Sequence, residues 1–215
     1  MQVKRCNAAS RRTSEEREKA RYGKICGRNY PSLDSRGFSI LNVIRSHTSM
    51  ASLELNSSPQ HKSMCWIIHD DSYRISASSG KMIERYSLAS LWFATAPENW
   101  LMSENWLQNV GVCYWYGVTC DKWGYVVDLD LGFNGLLGLV PKEISLMKYL
   151  EGLRLTANDL QGVIPTSIGN LSNLQVLQLN MNGFFGMIPS TMGELASLRK
   201  SLSKECKHIM IFIPL

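Results

Sequence analysis

Apolar positions recur every 24 residues in the second half of the chain. Three segments align at this spacing, and they begin at Val126, Leu150 and Leu174. Each follows the pattern L-x-x-L-x-L-x-x-N-x-L, with an apolar residue at every leucine position, and continues with G-x-(I/V)-P. Self-similarity at a fixed period is typical of stacked repeat structures. The identical columns are Leu129, Leu153 and Leu177; Leu131, Leu155 and Leu179; Asn134, Asn158 and Asn182; Gly138, Gly162 and Gly186; Pro141, Pro165 and Pro189.

The alternating leucines of each unit predict a short strand with its leucines facing inward and its variable residues facing outward. Successive strands are expected to form one parallel sheet on the concave face of a coil. Gly and Pro then predict a second bend, after which Ile144, Ile168 and Met192 are expected to lie in short helical turns on the outer side. The pattern predicts an α/β solenoid, with three repeats over residues 126–199.

The asparagine column follows each predicted strand at the point where the chain turns away. A side-chain amide there can hydrogen-bond backbone groups of neighbouring turns. Such groups would otherwise be buried unpaired, at a cost of about 1 to 3 kcal/mol each. We therefore expect Asn134, Asn158 and Asn182 to form a structural ladder.

Residues 81–125 are expected to form an amino-terminal cap, because a stack of repeats has an open apolar end. A helical pattern runs from Lys81 to Thr95 and ends before Pro97. Its apolar face is expected to comprise Ile83, Tyr86, Ala89, Leu91 and Phe93. The cap is also expected to use the apolar surface of Trp100, Trp106, Trp115 and Trp123.

The two ends of the chain lack the repeat pattern. Residues 1–80 are Ser-rich without sustained apolar period, and residues 1–36 carry ten basic against four acidic side chains. We expect disorder over 1–80, with a marginal strand or helix over Phe38–Arg45. Residues 200–215 are expected to be irregular, because the leucine columns would fall on Ser201 and Ser203. This loss of register suggests a truncated gene product.

The repeats and the cap phrase from Cys113 to Cys120 together resemble plant-type leucine-rich-repeat proteins. The resemblance covers roughly residues 82–199 and extends to receptor-kinase ectodomains, secreted inhibitor proteins and stand-alone algal proteins. It implies a short leucine-rich-repeat coil with a helical, disulfide-closed amino-terminal cap. It further implies that Cys113 and Cys120 form that disulfide, which favours an oxidising compartment.

The resemblance implies an extracellular or membrane-associated protein, but the sequence shows no secretory signal and no membrane-spanning segment. Either the true start lies elsewhere, or Cys6, Cys26 and Cys65 belong to sequence that is not native to the mature protein. Asn56 and Asn170 begin N-x-(S/T) motifs and would be glycosylated if the chain is secreted.

Candidate chemistry is sparse. Cys65 and His69 lack the second pair of ligands that a structural zinc site requires, and His69-Asp70-Asp71 is interpreted as a polar loop. Phosphate-binding, dinucleotide-binding and kinase motifs do not occur. We expect no enzyme activity, no catalytic residues, no metal, no cofactor and no nucleic-acid partner.

The outward strand positions of the repeats are the candidate binding residues, on the expectation that a long, shallow sheet binds a protein or peptide. The rival interpretation is that they are merely solvent-facing. The alternatives are a truncated ectodomain of a receptor-like kinase and an intracellular leucine-rich-repeat scaffold. The candidates are Asp128, Asp130, Phe133, Arg154, Thr156, Ala157, Val176, Gln178, Asn180 and Met181.

Overall fold

A computed structural model describes residues 13–26, 33–198 and 200–201. Its helices are α1 (Ser14–Ile25), α2 (Ser35–Arg45), α3 (Met50–Glu54), α4 (Pro59–Cys65), a π-turn (Trp66–Asp70) and α5 (Gly80–Ala94). Its strands are β1 (Val118–Cys120), β2 (Val126–Asp130), β3 (Leu137–Leu139), β4 (Gly152–Arg154), β5 (Asp159–Gly162), β6 (Val176–Gln178), β7 (Gly183–Phe184) and β8 (Lys200–Ser201). Short 3-10 turns span Pro97–Asn99, Val112–Tyr114, Lys142–Leu146, Thr166–Asn170 and Ser190–Glu194.

The repeats form two parallel ladders. The first sheet has the order β1-β2-β4-β6-β8, and the second has the order β3-β5-β7. In the first, Leu129 pairs with Leu153 and Leu153 with Leu177, so the register equals the 24-residue period of the sequence. These leucines are buried. The predicted leucine-rich-repeat strands and their parallel pairing are therefore present.

The asparagine column makes the backbone bonds expected of it. Asn158 Oδ1 accepts from the N–H groups of Asn134 and Leu136 at 3.0 and 2.9 Å. Its Nδ2 donates to the carbonyls of Leu131 and Leu155 at 2.8 and 3.0 Å. One side chain thus satisfies backbone groups of two successive repeats, which would otherwise be buried unpaired.

Helix α5 starts close to the predicted residue, and Ser79 caps it by accepting from the N–H of Lys81. The predicted face is wrong in part, because Ile83 and Phe93 are only partly buried while Glu84 and Arg85 are buried. The reason is that α5 lies between two layers. It contacts the first repeat on one side and α2 and α4 on the other.

The prediction of disorder over residues 1–80 is wrong for 33–80, where α2, α3, α4 and the π-turn form a packed layer. Each helix begins at a polar cap whose side chain accepts from the backbone, namely Asp34, Ser49 and Ser58. Such caps favour helix initiation. These helices are too short to show a sustained period, and their apolar faces become buried where they pack against one another, the π-turn and α5. Residues 1–12 and 27–32 lie outside the described residues. The fully buried side chains of this layer include Ile40, Leu41, Ile44, Leu53, Met64 and Ile67.

This helical layer is bonded to the first repeat through Glu143. Gln60 Nε2 donates to Glu143 Oε2 at 2.8 Å, and Thr48 Oγ1 donates to Oε1 at 3.4 Å. Ser87 of α5 donates to the Glu143 carbonyl at 2.5 Å. Three elements therefore meet at one buried glutamate, and the helices are continuous with the core of the repeats.

Arg85 of α5 is buried and forms polar contacts with three other residues of the cap. Its guanidinium pairs with both carboxylate oxygens of Asp71, at 2.9 and 2.6 Å, and both side chains are buried. It also donates to the carbonyls of Val110 and Gln108. The interpretation of residues 69–71 as a polar loop is therefore wrong for Asp71.

A cluster of tryptophans adjoins this ion pair through Trp115, whose ring centroid lies 4.9 Å from the Arg85 guanidinium carbon. The ring centroids of Trp106 lie 5.7 Å from Trp92, 4.8 Å from Trp100 and 4.9 Å from Trp115. Such aromatic contacts stabilise beyond the area they bury. Trp123 does not join this cluster, because its side chain is 65% exposed.

Two disulfides close the amino-terminal half. The bond implied by the resemblance joins Cys113 to Cys120 and closes a loop with a sequence separation of 7. A second bond joins Cys26 to Cys65 with a separation of 39, and it ties the end of α1 to α4. Cys26 and Cys65 are thus part of the fold rather than foreign to it, and Cys6 lies outside the described residues.

Glu84 lies at the junction of α5 and β2. Its carboxylate accepts a hydrogen bond from the N–H of Val126 at 3.2 Å. Burial raises the pKa of Glu84 from 4.5 to about 7, because the low-dielectric interior disfavours the charged form. The cap and the first strand of the stack therefore share a titratable contact.

The repeat register persists into the carboxyl-terminal segment. Lys200 pairs with Val176 and Ser201 with Leu177, which again is an offset of 24 residues. The expected loss of register is therefore wrong for the backbone of these two residues, although a serine occupies the leucine column. Residues 202–215 lie outside the described residues.

Candidate functional site

The outward face of the first sheet collects the variable strand positions of the repeats. Asp128 pairs in register with Gly152, which pairs with Val176, and Asp130 pairs with Arg154, which pairs with Gln178. Alternation along each strand turns these side chains away from the buried leucines. The site therefore consists of two rows of neighbouring side chains that cross the strands.

An ion pair crosses two strands of this face. Arg154 Nη1 donates to Asp128 Oδ1, and both side chains are about 30% exposed. A Cβ built on Gly152 would overlap the Asp128 carboxylate and crowd Arg154 Nη1. The absence of a side chain at Gly152 thus lets the pair lie flat against β4.

A depression of about 500 Å³ opens beside this ion pair. Its size falls within the range of ligand-binding clefts. Five of the ten sequence-predicted binding residues line it, together with three residues that the sequence did not indicate. The lining residues are Tyr116, Gly117, Asp130, Gly132, Phe133, Arg154, Thr156 and Gln178.

Asp130 and Phe133 are the most accessible side chains of the depression. The Asp130 carboxylate is exposed, and its Oδ1 accepts from the N–H of Gly132 at 3.1 Å. The ring of Phe133 is 70% exposed. An acidic group and an aromatic face are therefore both available to a ligand.

Phe133, Ala157 and Met181 form a column with a left-handed backbone, each with φ of 55°. This conformation costs an L-residue with a Cβ roughly 1 to 2 kcal/mol. Phe133 N–H donates to the carbonyl of Thr156 and Ala157 N–H to that of Asn180, so ladder bonds from the next repeat hold the conformation. Phe133 and Met181 are exposed apolar side chains at equivalent positions.

The other predicted residues lie outside the lining of the depression. Asp128 contributes through its pair with Arg154, and Asn180 Oδ1 accepts from Thr156 Oγ1 at 2.9 Å. Val176 is half-buried on β6, two residues before Gln178. The structure brings five candidates from all three repeats to one depression and leaves the other five outside its lining, namely Asp128, Ala157, Val176, Asn180 and Met181.

Tyr116 and Gly117 are the residues that sequence reasoning missed. They immediately precede β1, which pairs antiparallel with β2 and has no counterpart in the repeats. Gly117 has a φ of 77°, and a Cβ there would overlap the carbonyl of Asp130. The signal was present in the cap phrase, where a glycine falls between three aromatic residues and a strand-forming V-T-C segment.

The depression is lined by side chains that can form hydrogen bonds and ion pairs. Its ionisable side chains are one carboxylate, one guanidinium and one phenol, and no histidine, cysteine or serine lines it. Within the described residues, no group of three or more His, Cys, Asp or Glu side chains is arranged to hold a metal ion. A search of the same residues finds no helix long and apolar enough to cross a bilayer.

The two glycosylation motifs differ in accessibility. Asn170 and Ser172 are both exposed, and Asn170 ends a 3-10 turn away from the first sheet. Asn56 is exposed, but Ser58 of the same motif is buried as the cap of α4. Asn170 is therefore the better placed acceptor.

Comparison with known proteins finds relatives among plant receptors. The chain is 43% identical over 49 residues to Receptor-like protein 19 and 43% identical over 54 residues to Receptor-like protein 47, both of Arabidopsis thaliana. It spans only 5% and 7% of the length of these two relatives. No family model matches the chain.

Among solved structures, the BIR2 ectodomain of Arabidopsis thaliana is 31% identical, with a TM-score of 0.47. The match covers 52% of this chain and 62% of that one. The chain is therefore similar to plant receptor-like proteins and to a plant receptor ectodomain over part of its length.

Proposed function

We propose that the chain is a non-enzymatic binding module that recognises a protein or peptide on the outward face of the first sheet. In this proposal the strands line the concave side of a solenoid, and the depression bordered by Asp130, Phe133 and Gln178 is the centre of the contact. The single observation that carries it is that five sequence-predicted residues from three successive repeats converge on one depression of about 500 Å³.

The composition of the face supports this proposal. Exposed aromatic and apolar side chains lie beside an ion pair. Aromatic residues and arginine are enriched among the residues that contribute most of the binding energy at protein interfaces. Asp130, Arg154 and Gln178 lie on strands, and a backbone hydrogen bond to Thr156 of the next repeat holds Phe133. Binding therefore requires little ordering of the protein, which reduces its entropic cost.

A second candidate is that the chain is part of a receptor-like ectodomain. It is favoured by the matches to receptor-like proteins and by the two disulfides, which form in oxidising compartments. The same disulfides disfavour the intracellular scaffold. Purification from cells under thiol-blocking conditions tests the ectodomain candidate. Cys26 and Cys113 are expected to be oxidised, and fully reduced cysteines would exclude that candidate.

A selection of random twelve-residue peptides displayed on phage tests the binding role. Enriched peptides are expected to bind the wild-type protein and to lose at least about tenfold in affinity with Phe133→Ala or Gln178→Ala, about 1.4 kcal/mol. The matched control is Gln161→Ala, because Gln161 is an exposed glutamine on β5 of the other sheet. Failure to enrich peptides, or binding unaffected by the two first-sheet variants, would contradict the proposal.

A further inference from the structure

We infer that the depression selects a cationic side chain, a lysine or arginine of the bound peptide, and that Asp130 is its counter-ion. This inference rests on the proposed function, because it names the chemistry that the same face prefers. It depends on three features: the charge balance of the face, its aromatic walls and the fixed position of Asp130.

The charged side chains in and beside the depression have a net charge of minus one. Asp128, Asp130 and Arg154 supply two carboxylates and one guanidinium, and Arg154 is engaged by Asp128. Asp130 lies beside Arg154 in register but forms no ion pair with any side chain of the described residues. Its bond to the Gly132 N–H uses only one lone pair of Oδ1. The carboxylate therefore keeps acceptor capacity for a ligand.

The walls of the depression suit the rest of such a side chain. The aliphatic stem of lysine or arginine packs on apolar surface while its charge stays solvated. Phe133 offers that surface, and the faces of Phe133 and Tyr116 attract a cation placed within about 6 Å of a ring centroid. Gln178 and Thr156 also line the depression and provide further hydrogen-bonding groups.

An acidic side chain is the alternative occupant, and it would have to bind Arg154. It would then share the guanidinium with the Asp128 carboxylate and approach Asp130, so that like charges would lie side by side. Charge complementarity therefore favours the cation.

The test uses the peptides selected above whose binding requires Phe133. Lysine or arginine is expected at one fixed position of these peptides. Asp130→Asn is expected to weaken their binding at least about tenfold while retaining the acceptor for Gly132. Replacing the peptide lysine or arginine by norleucine should have a similar effect. When Asp130→Asn is combined with the norleucine peptide, the loss of binding free energy is expected to be smaller than the sum of the two separate losses. Such non-additivity indicates a direct contact between the two side chains.

Asp159→Asn is the matched control, because Asp159 is an exposed aspartate on β5 outside the depression. Peptides that require Phe133 but carry no conserved cation, or whose affinity is unchanged by Asp130→Asn, would overturn this inference and leave the proposed function intact. Peptides that carry a conserved acidic residue lost with Arg154→Gln would overturn it in favour of the acidic occupant. Peptides that require Gln178 but not Phe133 would overturn this inference alone, and if the binding of the enriched peptides requires neither residue, both proposals fail.

Discussion

Arg85 and Asp71 form a two-point ion pair with no exposed surface, and the guanidinium lies 4.9 to 5.0 Å from the ring centroids of Trp66, Tyr73 and Trp115. The pair joins α5 to the loop that follows the π-turn. Because Arg85 also donates to the carbonyls of Gln108 and Val110, it links three parts of the cap that are remote in sequence.

Removal of the Asp71 carboxylate is expected to destabilise the protein strongly. Asp71→Ala leaves the Arg85 charge buried without its counter-ion, which costs about 3 to 5 kcal/mol. Urea unfolding followed by tryptophan fluorescence measures the free energy of unfolding. The control Asp159→Ala, on the surface of β5, should change it by less than about 0.5 kcal/mol. Equal stabilities of the two variants would show that the pair has no such role.

The asparagine ladder gives a second prediction. Asn158→Ala removes the acceptor for the N–H groups of Asn134 and Leu136 and the donor for two carbonyls. Each unpaired buried group costs about 1 to 3 kcal/mol, so a loss of about 3 kcal/mol or more is expected. Asn173 is exposed and donates to one carbonyl, that of Lys148. In the same unfolding assay Asn173→Ala should lose no more than about 1 kcal/mol, and a comparable loss at both sites would argue against the ladder.

Glu84 predicts a pH dependence of stability. Burial raises its pKa from 4.5 to about 7, so the folded state retains a proton that the unfolded chain releases in this range. Its contribution to stability is therefore largest below about pH 4.5 and falls as the pH rises to about 7, by about 3 kcal/mol in total.

The variant Glu84→Gln isolates this effect, because glutamine can still accept from the Val126 N–H but does not titrate. The stability difference between Glu84→Gln and the wild type is expected to grow in favour of the variant between pH 4.5 and 7. Urea unfolding at half-unit pH intervals measures it. The control is Glu98→Gln, which removes the same charge at an exposed position. The pH dependence of its free energy of unfolding should match that of the wild type. A constant difference across this range would refute the assignment to Glu84.

The two disulfides are expected to differ in their contribution to stability. Loop-closure entropy grows with the length of the closed segment, so the bond between Cys26 and Cys65 should contribute about 4 kcal/mol. The bond between Cys113 and Cys120, with its separation of only 7, should contribute about 2 kcal/mol.

Paired alanine substitutions of each bond test this difference by urea unfolding, and each pair serves as the control for the other. The larger loss for Cys26→Ala with Cys65→Ala would also show that α1 is held in the fold. If that pair of substitutions had the smaller effect, the amino-terminal helices would contribute less to the cooperative unit than their packing indicates.

Sequence reasoning succeeded where a local signal repeats. Leu129, Leu153 and Leu177 recur at a spacing that is also the register of the sheet, so the strands and their parallel pairing could be predicted. The same alternation predicted that Asp130, Arg154 and Gln178 would share one face.

Features that depend on tertiary packing were not predictable in this way. Ile40 and Leu53 belong to short helices whose apolar side chains become buried only when the helices pack against neighbouring helices. Their segment alone therefore predicts disorder. The pairing of Asp128 with Arg154 depends on the missing side chain of Gly152. Tyr116 reaches the depression only because β1 runs antiparallel to β2, and no repeat column could indicate that arrangement.

The constant offset of 24 residues between the paired parallel strands of the first sheet gives that sheet a translational symmetry. Inserting or deleting one whole unit would leave every leucine facing inward, whereas a segment one residue longer or shorter would turn a strand inside out. Adjacent strands lie about 4.8 Å apart. The width of the first sheet can therefore change only in steps of about 5 Å, one strand at a time. The outward side chains can vary without changing this spacing, so in the proposed function they would determine specificity.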